Sequence, residues 1–186
     1  MIDPGASEII TRELAPNERI LWTGKPRQGI YLRVSDTFLI PMSLLWCAFV
    51  VFWEARVFNS GAPLFFILWG IPFVLVGLYV VAGRFLVDAK QRSKTFYGLT
   101  EDRIIIVSGL FQKKTKTLNL QTLSDISLTE REDRTGTITF GPSPPFYSWV
   151  AGASWPGLGQ MAVPSFEAIE NARTVYDLIN NAKQKK

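Results

Sequence analysis

The chain has 186 residues, 47% of them hydrophobic, and a net charge of +4. That allows one small soluble domain beside a short apolar segment, and it is too weakly basic for a dedicated nucleic-acid binder. With no histidine and a single cysteine, Cys47, the chain excludes His-dependent general bases, His-paired nucleophiles, His-ligated metals and internal disulfides.

Residues 1–30 contain no continuous apolar core, so no cleavable signal peptide is expected and the first apolar helix must itself direct the chain. Residues 1–34 read as a cytoplasmic N-terminal stretch with one strand over Arg19–Thr23 (RILWT).

Residues 35–87 read as a transmembrane helical hairpin. Thr37–Trp53 and Val57–Gly83 are apolar, and only Glu54 and Arg56 carry charge between residues 37 and 83. A run of roughly 20 such residues at ~1.5 Å each matches the ~30 Å hydrocarbon core of a bilayer. Helices are expected over about 36–55 and 62–84, with Ser35 as cap and Asp36 favoured by the helix dipole. Pro41 predicts a small irregularity, and Pro72 with Gly70 predicts a kink around Leu68–Pro72. Ser43 and Cys47 on the first helix and Gly70 and Gly77 on the second form small-residue stripes that suit close helix packing. The other reading is that the glycines face lipid without a role. Trp46, Trp53 and Trp69 read as belt or packing aromatics, and Cys47 as a packing residue. Arg27 and Arg33 before the hairpin, and Arg84, Lys90, Arg92 and Lys94 after it, outnumber Arg56 in the loop. The positive-inside tendency then places both termini in the cytoplasm.

Residues 88–186 change texture. Short apolar alternations at Thr95–Thr100, Arg103–Ser108, Thr115–Leu120, Ile126–Glu130 and Thr137–Phe140 are separated by turn residues and read as strands. Further strands are expected at Phe146–Val150 and Met161–Val163. Ser165 then caps a predicted helix over about 165–183, in which Phe166, Ile169, Ala172, Val175 or Tyr176, and Ile179 recur at helical spacing. The expected fold class is α+β: a helical hairpin followed by an antiparallel β-sandwich or barrel capped by a C-terminal helix. The strand before the hairpin is a candidate for that sheet's edge.

Three stretches carry a resemblance: Glu18–Gly24 followed by Lys25-Pro26, Tyr97–Ile104 running on to Ser108-Gly109, and Gly136–Gly141. On these the chain resembles the bacterial pleckstrin-homology-like, membrane-flanked domain proteins, in which a two-helix hairpin precedes the β domain. The chain departs from the pattern at Glu101, where Asn or Asp is frequent. The resemblance implies strongly bent sheets capped by one helix, in the bacterial inner membrane. It implies little about activity, because such folds host many functions.

Two basic clusters are candidate lipid-surface contacts: Arg84, Lys90, Arg92 and Lys94, and then Lys113, Lys114 and Lys116. The competing reading is topology determination and ordinary solvated charge. Glu130–Arg134 alternates in sign and reads as a solvated turn, and Gly157-Leu158-Gly159 lacks the context of a phosphate loop. Within Gly141–Gly159, Phe146, Tyr147, Trp149 and Trp155 are candidate partner or interface contacts, or else close the barrel's open end. No cofactor and no catalytic constellation is expected. The expected function is a non-enzymatic scaffold, adaptor or accessory subunit of a cytoplasmic-membrane complex, partnered by membrane lipids and by a membrane protein or further copies of itself. The alternative is an anionic-lipid or small-ligand binding module, and an enzyme is the remotest of the three.

Overall fold

The structure is a computed structural model that describes residues 3–33, 36–110, 112–142 and 163–184. The elements run α1 (Pro4–Thr11), β1 (Ile20–Gly24), α2 (Asp36–Asn59), α3 (Leu64–Leu78), a π-helical turn (Tyr79–Gly83), α4 (Arg84–Ser93), β2 (Phe96–Thr100), β3 (Arg103–Ser108), β4 (Lys114–Asn119), a 3-10 turn (Leu120–Thr122), β5 (Ile126–Glu130), β6 (Gly136–Phe140), β7 (Ser165–Ile169) and α5 (Ala172–Gln184). The described residues group into two units: one within Ile30–Asp88, and the other formed by the remaining described residues.

The β unit has two antiparallel sheets, ordered β1-β2-β3-β4 and β5-β6-β7. Strand β1 pairs with β2, Ile20 opposite Thr100 and Gly24 opposite Tyr97. The hairpin is therefore an insertion between two neighbouring strands, and the strand predicted at residues 19–23 is an edge of the main sheet. The core between the sheets holds Trp22, Tyr97, Leu99, Ile104, Ile106, Ile138, Phe140 and Phe166, with Val175 and Ile179 from α5. Phe166 is its hub, its ring centroid 4.7 Å from Tyr97, 5.0 Å from Phe140 and 5.3 Å from Trp22.

A second, smaller core covers the opposite face of the first sheet. Ile10 of α1 packs with Ile105 and Val107 of β3. Asp3 caps this helix, its carboxylate accepting from the Ala6 N–H at 2.9 Å, with Pro4 in the first turn. Gly98 lies beneath it, and a Cβ there would come within 2.6 Å of Ile10 Cγ2. Strand β3 is thus buried on both faces, which is why Arg103–Ser108 reads as a nearly unbroken apolar run.

One predicted element is corrected. Residues 165–169 form strand β7 on β6, with Ile138 opposite Phe166, and the last helix starts at Ala172 instead of 165. Ala168, at φ 48°, interrupts the strand's alternation, so that Phe166 and Ile169 are both buried at a spacing of three that mimics a helix. The expected strands at 146–150 and 161–163 lie wholly or largely outside the described residues, as does the Ser35 cap.

The hairpin unit contains two helical runs long and apolar enough to cross a membrane, Asp36–Asn59 and Leu64–Ser93. Leu45, Phe49, Phe52, Phe65, Leu68 and Trp69 all point outward. Helices α2 and α3 run unbroken through Pro41 and Pro72. The departure from α-geometry falls later, in the π-turn, where Gly83 faces the Tyr79 ring and a Cβ would stand 2.8 Å from Cδ2.

Candidate functional site

The signature stretches around Glu18 and Arg103 meet at one half-buried junction. The Glu18 carboxylate accepts from Arg103 Nε at 2.8 Å and Nη2 at 2.7 Å, from the Thr100 hydroxyl at 2.7 Å, and from the Ala15 N–H at 2.8 Å. Bidentate pairing of this kind is the strong form of an ion pair. It holds the Glu18 carboxyl down at about 2, chiefly through the Arg103 guanidinium, and raises Arg103 in turn. Neither residue stood among the sequence-level candidates, although both lay inside quoted stretches. Their pairing across the hairpin leaves no local signal.

The two basic clusters are largely taken up by the protein itself. Arg92 is buried and donates to the carbonyls of Arg27 at 3.0 Å and Gly29 at 2.7 Å. Arg84 is buried against Asp36. Neither is an exposed surface cation, because both guanidiniums are buried in the protein. Lys90 is exposed, and Lys94 is exposed with its Nζ donating to the Leu110 carbonyl. In the second cluster, Lys113 is paired with Glu13 on the segment after α1 and lowers that carboxyl's affinity for protons. Lys116 is half-buried and lowered by that burial and by Lys114, whereas Lys114 is exposed.

In the hairpin unit the small-residue stripes face one another in part. A Cβ on Gly77 would make ordinary contact with Cys47, 3.5 Å from Sγ, and Ser43 is buried with its hydroxyl donating to the Ile40 carbonyl. Gly70 meets a different neighbour, Glu54, whose Oε2 lies in the notch left by the missing side chain and has no hydrogen-bond partner among the described residues. At the other end of the unit, Arg84 Nη1 is 2.8 Å from Asp36 Oδ1 and Arg33 Nη2 is 3.0 Å from Asp88 Oδ1. The Asp36 carboxylate also accepts the Arg33 N–H at 2.7 Å. These contacts tie the start of α2 to the beginning of α4 through four charges of balanced sign.

A hollow of about 250 Å³ between the β2–β3 turn and the end of α5 is lined by Glu101, Asp102, Asn119, Gln121 and Lys183. Lys183 is already committed to the Leu123 carbonyl at 2.6 Å. Among the described residues no group of three or more Cys, Asp or Glu is placed to hold a metal ion. The aromatic candidates Phe146, Tyr147, Trp149 and Trp155 lie outside the described residues.

A family model described as a bacterial PH domain matches residues 39–183. No curated protein and no solved structure matches the chain. The matched stretch takes in nearly all of both apolar helices, six of the seven strands among the described residues and nearly all of α5, and it starts after β1, which the β1–β2 pairing restores to the same sheet. Two sheets of four and three antiparallel strands closed by a C-terminal helix agree with that match, and the chain belongs to the bacterial PH domain family.

Proposed function

We propose that the protein is a non-enzymatic, membrane-anchored scaffold, adaptor or accessory subunit of a complex in the bacterial cytoplasmic membrane. The observation that carries this reading is the pairing of β1 with β2, because both ends of the apolar hairpin return to one folded unit. Such a unit cannot leave the membrane while the hairpin is inserted. The cations flanking the hairpin set that unit on the cytoplasmic side, with the Ser60-Gly61 turn outside. The candidate catalytic groups are few, since the chain lacks histidine and Glu18, Glu13 and Asp36 are spent on ion pairs.

The alternative, binding of anionic lipid or a small ligand by the β unit, has less support. Its main element was the Lys113–Lys116 hairpin, where Lys113 is tied to Glu13 and Lys116 is half-buried.

Affinity purification of the full chain in mild detergent, followed by mass spectrometry and light scattering, tests the reading. A stoichiometric membrane-protein partner or a defined homo-oligomer is expected. A monodisperse monomer with no co-purifying protein defeats it. Alkaline phosphatase fused after Lys90 is expected to be inactive, and strong activity would invert the orientation.

A further inference from the structure

Arg84 uses only part of its hydrogen-bonding capacity. The residue is 3% exposed, and its Nη1 is paired with Asp36. A guanidinium presents five N–H donors in a rigid planar fork, and Nε and Nη2 share the edge that meets two oxygens side-on. Both of these nitrogens are shielded and have no hydrogen-bond partner among the described residues. Buried donors are normally matched, and a charged one left unmatched is expensive.

The nearby carboxylates do not fill that edge. Asp36 spends one oxygen on Arg84 Nη1 and the other on the Arg33 N–H, and Asp88 is paired with Arg33. The edge therefore suits an oxyanion from outside the chain. Arg84 follows Leu64 by about 20 residues, or ~30 Å of helix, which is the thickness of the hydrocarbon core. Asp36 precedes Arg56 by the same interval. If the hairpin spans the membrane, as proposed above, the Asp36–Arg84 pair lies at headgroup level, where the abundant oxyanion is phospholipid phosphate.

We propose that the Nε–Nη2 edge of Arg84 binds the phosphate of a phospholipid headgroup. The four charges of Arg33, Asp36, Arg84 and Asp88 cancel, so recognition comes from the geometry of two parallel N–H···O bonds and not from net attraction. Zwitterionic and anionic phospholipids are taken alike. The edge is shielded from solvent, and an entering phosphate displaces what covers it.

The test uses the full chain, delipidated in mild detergent, with thermal unfolding followed as dioleoylphosphatidylethanolamine, dioleoylphosphatidylglycerol, diolein or inorganic phosphate is added. Both phospholipids are expected to stabilise it, and diolein, which lacks a phosphate, is not. Arg84→Lys keeps the charge beside Asp36 but lacks the fork, and it should weaken the response to both phospholipids about tenfold. Lys90→Ala removes an exposed cation from the same helix and should change nothing. The proposal is overturned if Arg84→Lys responds as the wild type does, or if Lys90→Ala loses as much. Equal stabilisation by inorganic phosphate would overturn the lipid source. Should Arg84→Lys not fold, the wild type decides alone: native mass spectrometry must show retained phospholipid, and none retained with no thermal response sinks the site. Solubility without detergent would instead remove the membrane reading on which this rests.

Discussion

Glu18 is held by four donors from three places in the chain, and its acidity follows from them. Its folded value of about 2 lies below the ordinary 4.5. A depressed carboxyl of this kind stabilises the fold fully above its unfolded value, and the contribution disappears as pH falls from about 4.5 towards about 2. The shift corresponds to at most ~3 kcal/mol at neutral pH. Glu18→Gln is expected to lower stability by about 2 kcal/mol at neutral pH. Thermal melts of both proteins across this range should show the gap closing as pH falls. A gap that stays constant would mean that the Glu18 charge is not what matters at this junction.

At the level of elements, the second core makes a sharper demand. Helix α1 seats Ile10 where a side chain on Gly98 would go. Gly98→Ala is expected to cost about 1–3 kcal/mol through overpacking, and Ile10→Ala combined with it should be less harmful than the two single effects added together. Additive losses in a double-mutant cycle would show that α1 does not press on β2. This layer was missed in the sequence, where residues 1–34 showed only one strand. Residues 104–107 have no polar alternation, as two-sided burial requires, and Asp3-Pro4 is an ordinary helix start, yet a helix of 8 residues has too few apolar positions to show a period. Strands β2, β4, β5 and β6 were legible because alternation and turn residues agreed, and β3 because turn residues bound its apolar run. Strand β7 was not, because the irregularity at Ala168 gives Phe166 and Ile169 a helix-like spacing. The ion pairs that redirect Arg84 and Lys113 join residues 48 and 100 positions apart in sequence, and no local pattern announces such partners.

For the whole molecule, the β1–β2 pairing implies that the β unit does not need the hairpin to fold. Arg92 donates to the Gly29 carbonyl, so residues on either side of the inserted segment are in contact within the β unit. Replacing residues 30–88 with a short glycine-serine linker is expected to give a water-soluble protein that unfolds cooperatively. Aggregation, or loss of the β signal in circular dichroism, would show that the sandwich depends on the hairpin. The same pairing imposes an order on biosynthesis. Strand β1 leaves the ribosome about 70 residues ahead of its partner, a delay of several seconds at ~5–20 residues per second. Through that interval Trp22 and its neighbours have no sheet to join. With the hairpin spanning a membrane as proposed, a chain in which one apolar span fails to insert would strand β1 and β2 in different compartments, so correct insertion becomes a checkpoint that the nascent protein must pass before its β unit can assemble at all.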